Sequence, residues 1–178
     1  MAGASATVRM DVQWGPRAEP ERVLLDEKRV IVFSAPDVAG GYAITWTAKF
    51  TARERTVIDR TPPVRHSETG TWSGGYAGLS LRLADFGRGF RLTSSSGAVR
   101  QADVIAREWE WIDYSSPHTG EGVRLEILKA PGRRVFYHWP DHRFTNLSPV
   151  FDASIVLERG ETLELAYRAK VHGKTGSR

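Results

Sequence analysis

The 178-residue sequence predicts an all-β fold, an antiparallel β-sandwich of about ten short strands, on three observations. Apolar and polar residues alternate with period two over long stretches, as in strands with one buried face. Clusters of Gly, Pro, Ser, Asn and Asp interrupt these stretches about every 8 to 15 residues. No stretch carries the 3.6-residue period of an amphipathic helix.

The clearest strands are three. Val8, Met10, Val12 and Trp14 alternate with Arg9, Asp11 and Gln13. Tyr42, Ile44, Trp46, Ala48 and Phe50 alternate with polar residues that include Thr45, Thr47 and Thr51, whose β-branching suits a pleated surface. Leu163, Leu165, Tyr167, Ala169 and Val171 alternate with Glu164, Arg168, Lys170 and His172. Between them, strands are expected over 23–34, 53–59, 76–84, 89–94, 98–113, 122–128, 134–139 and 150–158, and LERGETLEL reads as a hairpin turning at Gly160. Residues 1–172 are read as a single β-sandwich domain and 173–178 as a flexible C-terminal tail.

Composition narrows the function classes. With 40% hydrophobic and 26% charged residues the chain can bury a core without covalent staples. There is no Cys, which excludes disulfides, thiolate nucleophiles and Cys-ligated metal sites. The formal charge of +4 lies in the last third: residues 1–128 carry 16 basic and 16 acidic groups, residues 129–178 carry 9 and 5. The bases are interleaved with acids and form no block, so nucleic acid is not the expected partner. The N-terminal segment lacks the basic and apolar regions of a secretory signal, and no apolar run approaches the roughly 18 residues of a membrane span, so a cytoplasmic protein without a membrane partner is expected. Neither a G-x-S-x-G elbow nor a glycine-rich nucleotide motif occurs, so no cofactor is expected.

Three constellations carry polar chemistry. In GTWSGGYAGLSLRLA, a strand over 76–84 would place Leu79, Leu81 and Leu83 inward and Tyr76, Gly78, Ser80 and Arg82 on the open face; Gly78 would let a ligand or a neighbouring side chain approach the backbone. Tyr76 and Arg82 would then stand about 20 Å apart along the strand, so they share one small ligand only if the sheet curves strongly. In REWEWIDYSS, Arg107, Trp109, Trp111 and Asp113 would share one face, an aromatic platform with polar handles suited to a sugar, with Glu108, Glu110, Ile112 and Tyr114 on the other. Glu108 and Glu110 would lie about 7 Å apart, a spacing either glycosidase geometry can use. In VFYHWPDHRFTN, His138 and His142 have a His-x3-His spacing, but Pro140 opposes the helix that would align them on a metal, so no metal is expected and they read as rim residues in a loop. His66, His118 and His172 read as solvated histidines.

GGYAGLSLRLA at Gly74 to Ala84, WIDYSS at Trp111 to Ser116 and LELAYRAKVHG at Leu163 to Gly173 resemble the PmoA-like family of uncharacterised bacterial proteins, often labelled methane oxygenase. The resemblance covers most of the chain and matches the later part of the family pattern; the matching positions are Gly74, Gly75, Tyr76, Gly78, Arg82, Trp111, Asp113, Tyr114 and His172. It implies a supersandwich-like (galactose-mutarotase-like) β-sandwich associated with carbohydrate metabolism. The chain lacks the earlier His-rich segment of longer members, and reads ILKAPGRR where members tend to show Asp-His-Pro. Nothing in it resembles the ligand set of a copper or iron oxygenase.

The reading that follows is a saccharide-binding β-sandwich whose ligand lies on an aromatic-lined face formed by Tyr76, Arg82, Trp111, Asp113 and Tyr114, with His138 and His142 at the rim. The sequence names no catalytic group; any catalysis would be acid/base chemistry on a sugar. The alternative is a non-catalytic assembly domain, a fragment or truncated relative of a longer protein, whose sheet edges pair with a missing N-terminal portion or with a second copy in a homo-oligomer.

Overall fold

The computed structural model describes residues 4–62, 64–65, 72–73, 78–83, 89–100, 107–132, 135–139, 144–150 and 153–173. Their regular structure is entirely β, sixteen strands numbered here in chain order and paired antiparallel in four sheets, none of them closed or curled. The largest sheet has eight strands. From one edge to the other they are β1 (Ala6–Trp14), β2 (Leu25–Phe33), β3 (Tyr42–Ala52), β16 (Thr162–His172), β12 (Gly122–Lys129), β11 (Trp111–Ser115), β8 (Arg91–Ser94) and β9 (Gly97–Ala98). A four-stranded sheet runs β10 (Arg107–Glu108), β13 (Val135–Trp139), β14 (Phe144–Ser148) and β7 (Leu79–Arg82). Two short pairs complete the set: β4 (Thr56–Ile58) with β15 (Ile155–Leu157), and β5 (Val64–Arg65) with β6 (Trp72–Ser73).

The alternation read from the sequence decides which face is dry. On β16, Leu163, Leu165, Tyr167 and Ala169 turn inward, each exposed by 7% or less, and register sets them opposite Phe50, Ala48, Trp46 and Ile44 of β3. Ile112, Tyr114 and Leu125 continue that face across β11 and β12 with no exposure at all. The four-stranded sheet covers it: Leu147 joins the core, with Leu79 and Leu81 packed against it. Burying each such large apolar side chain stabilises the fold by on the order of 1.5–3 kcal/mol. The Tyr114 hydroxyl donates across the layers to Thr145 Oγ1 at 3.0 Å, and burial pushes its pKa above the ordinary range.

The structure departs from the sequence reading in four places. The expected strand over 98–113 divides between two sheets, β10 in the smaller and β11 in the larger, so Arg107 and Glu108 do not share a strand with Trp111 and Asp113. The segment 144–148, read as a loop, is a strand paired on both sides, with Asn146 only 1% exposed; its polar Thr and Asn hide the alternation. Gly160 does sit at a turn, with φ of 87° and the Glu161 N–H bonded to the Glu158 carbonyl, yet β15 and β16 leave it for different sheets and make no hairpin. Gly78 precedes β7 rather than lying within a strand. Its φ is 81°, and a Cβ there would strike the Leu147 carbonyl and stand 2.8 Å from both Pro149 Cδ and the Tyr167 hydroxyl. Neighbouring protein fills the space beside Gly78.

Candidate functional site

The outer face of the eight-stranded sheet carries the polar partners of the core residues. Because successive strand residues point to opposite faces, Asp113, Arg124, Lys170 and His172 turn outward wherever Tyr114, Leu125 and Ala169 turn inward. Register places Asp113 of β11 opposite Arg124 of β12, and Arg124 opposite Lys170 of β16. The next row is Ser115, Gly122 and His172.

Gly122 lets that second row reach the first. A Cβ at this position would stand 2.7 Å from His172 Cε1 and would strike the Tyr114 carbonyl, so only glycine leaves room for the imidazole to lie over β12 and meet a carboxylate two strands away. His172 Nε2 stands 3.1 Å from Asp113 Oδ2 and 3.3 Å from Oδ1, and Arg124 Nε donates to Oδ2 at 3.3 Å. The other ring nitrogen, Nδ1, faces the Gly120 carbonyl at 2.9 Å. A carbonyl only accepts, so Nδ1–H donates to it, and Nε2 is the ring nitrogen turned to the Asp113 carboxylate. The Gly120 carbonyl is itself fixed by a tight turn, in which Ser116 Oγ accepts from the His118 and Thr119 N–H groups and Gly120 N–H donates to the Ser116 carbonyl.

Asp113 is 6% exposed and lies at the floor of an open cleft of about 690 Å³. One wall is the turn before β3, where Asp37 Oδ1 accepts from the Ala39 and Gly41 N–H groups at 2.9 and 2.8 Å and brings Tyr42 to the rim. Arg91 and Thr93 of β8 form the opposite wall. Arg124 lies over the Trp111 ring, 3.9 Å from its centroid, which fixes the guanidinium and occupies that aromatic face. Lys170 Nζ meets Glu126 at 2.8 Å. The cleft thus offers a carboxylate that accepts, cations that donate, and a His–Asp pair able to pass a proton.

The sequence-derived site is brought together only in part. Trp111 and Asp113 share the outer face at this cleft. Tyr114 belongs to the core instead, with no exposure, because it alternates with Asp113. Arg82 is exposed on β7 of the other layer; since Leu81 packs into the core, Arg82 turns to the opposite outer face of the sandwich from Asp113. His138 lies on β13 of that same second sheet, and Tyr76 and His142 lie outside the described residues. Glu108 and Glu110 line a separate hollow of about 510 Å³ with Trp109, Ser95 and Ser96; both are exposed, and the sheet break between β10 and β11 removes the shared strand face on which they were paired. Among the described residues, no three His, Asp or Glu side chains converge on a metal position.

A family model matches the chain from residue 1 to residue 178, described as a family of unknown function. The chain belongs to DUF6807. Comparison with curated proteins and with solved structures finds no significant match. Membership in DUF6807 therefore places the whole chain in one family and brings no activity with it.

Two members of the cleft in this DUF6807 chain escaped the sequence reading. His172 shares a strand face with Arg168 and Lys170 and so read as solvated; the signal for a partner lay in its register opposite Gly122 on the adjacent strand, which opens the way to the outward Asp113 one row along on the strand beyond. Arg124 falls on the polar face of a short strand, where alternation alone predicts solvent. Only strand order brings them to Asp113, and strand order is not written in local periodicity.

Proposed function

We propose that this DUF6807 chain binds a saccharide in the cleft of Asp113, Arg124 and His172. One observation carries the reading: a carboxylate withdrawn from solvent stands at the floor of an open cleft with its oxygens directed to an arginine and a histidine. Sugar hydroxyls both donate and accept, and a fixed carboxylate beside fixed cations answers both roles at one position. Tyr42, 39% exposed, supplies the apolar surface at the rim. Trp111 contributes through Arg124, which it holds in place, rather than as the stacking platform the sequence suggested. The same reading agrees with the carbohydrate association that the PmoA-like resemblance implies. If a reaction occurs, the His172 imidazole beside the Asp113 carboxylate is the general acid or base available to it.

Calorimetric titration of the chain with neutral and acidic monosaccharides and short oligosaccharides tests this reading. Saturable binding by at least one sugar, lost in Asp113→Asn with the fold retained, is the expected result. No heat from any sugar at millimolar concentration overturns it.

A further inference from the structure

We infer that β1 is a self-pairing edge, and that two copies of the chain join β1 to β1 antiparallel about a twofold axis through Met10, making one continuous sheet across the dimer. The eight-stranded sheet ends differently on its two sides. At one side β9 is two residues long, which is a protected edge. At the other, β1 runs nine residues in unbroken register with β2, contains no Pro, Gly or Lys, and has no strand on its outer side among the described residues. Seven of its nine residues are exposed. Such an edge presents a row of unpaired N–H and C=O groups.

The sequence of β1 selects the occupant. Antiparallel pairing requires residues with outward-pointing backbone groups to face one another, so odd-numbered positions pair with odd and even with even. In the register centred on Met10, Arg9 of each copy faces Asp11 of the other, twice by symmetry. On the opposite face Val8 meets Val12 and Met10 meets Met10, which covers an apolar row whose Val8 is 43% exposed. The neighbouring allowed registers are worse: centring on Arg9 sets two arginines against each other, and centring on Asp11 sets two aspartates. Registers further out shorten the paired stretch. The edge is therefore complementary to itself at one register, which a foreign strand would match only by chance.

Charge reversal gives the test. Arg9→Asp places two acids against two acids across the axis, and Asp11→Arg two bases against two bases, while each variant keeps its own fold. In sedimentation and light scattering the natural chain is expected to be a dimer at micromolar concentration, and each single variant, with unchanged circular dichroism, to dimerise about tenfold or more weakly. An equimolar mixture of the two variants regains the dimer, because both acids of the Arg9→Asp chain then face both arginines of the Asp11→Arg chain. Met10→Cys, in a chain that has no other Cys, forms an interchain disulfide on oxidation. A monomeric natural chain overturns the inference, as does a dimer that both charge reversals leave intact, and absence of the Met10→Cys crosslink overturns the register.

Discussion

Glu27 and Asp113 are both carboxylates drawn out of solvent on the eight-stranded sheet, and each is met by an arginine and by a ring nitrogen. Glu27 receives Arg29 Nε at 2.6 Å, Arg29 Nη2 at 2.7 Å and Trp14 Nε1 at 2.8 Å. Asp113 receives Arg124 at 3.3 Å and faces His172 at 3.1 Å. Each arginine also lies over a tryptophan, Arg29 over Trp46 at 5.6 Å and Arg124 over Trp111 at 3.9 Å. The difference is in the second donor and in the surroundings. Indole N–H is a permanent donor, the Glu27 side chain is fully covered, and the bonds are short; the carboxylate in turn holds the Arg29 guanidinium charged, raising its pKa. An imidazole nitrogen donates or accepts according to its tautomer, the bonds are longer, and Arg124 and His172 remain 37% and 36% exposed along a cleft. The same set of groups thus makes a lock near the β1 edge and an openable pair in the cleft.

The comparison is broken most forcefully at the lock. Glu27→Gln leaves the half-buried Arg29 charge without its anion and is expected to cost about 3–5 kcal/mol of unfolding free energy in urea titrations, with saccharide binding by the folded fraction unchanged. A loss no greater than that of a surface substitution would show that Glu27 is not the fixed member of the two.

At the cleft the order of effects reverses. Asp113→Asn removes the charge that Arg124 and His172 share; both partners reach water, so about 1–2 kcal/mol of stability is expected to go while sugar binding disappears. Gly122→Ala sharpens the point without removing a side-chain polar group, although its methyl also presses on the Tyr114 carbonyl. Its methyl would occupy the path of the His172 ring, so the expected outcome is displacement of the imidazole, read as a shift of its NMR resonances, together with at least tenfold weaker binding. Retention of the His172 resonances in Gly122→Ala would count against the crossing geometry.

How far these two sites could be read in advance follows from their chemistry. Alternation in 42–52 and 162–172 is strong because one face of each strand meets the core; in 6–14 it is as regular, though that edge strand stays largely exposed, and all three match the expected strands closely. Asp113 was legible because Trp111 and Asp113 fall on one parity of a short strand. His172, Arg124 and the Glu27 cluster were not, since each depends on which strands become neighbours: Trp14 reaches Glu27 only because β1 folds back along β2, and His172 reaches Asp113 only because β16 and β11 flank β12. Segment 144–148 was hidden for another reason. Thr145 and Asn146 are buried by hydrogen bonds to Tyr114 and Ser80 rather than by apolar contact, and hydropathy does not register such burial.

The smallest expected effect tests whether the identity of the ring donor matters. Trp14→Phe keeps most of the aromatic surface and removes only the N–H that reaches Glu27 Oε2. Arg29 still binds both carboxylate oxygens, so the acceptor is not orphaned, and the loss should be about 1 kcal/mol. His172→Phe makes the equivalent change at Asp113, where Arg124 reaches only Oδ2 and no second fixed donor stands at Oδ1 among the described residues. If the lock tolerates losing its ring N–H and the cleft loses its ligand, the imidazole is what separates the two carboxylates. If both changes leave binding intact and cost the same stability, His172 is no more than a second Trp14, a structural donor at the edge of a cleft.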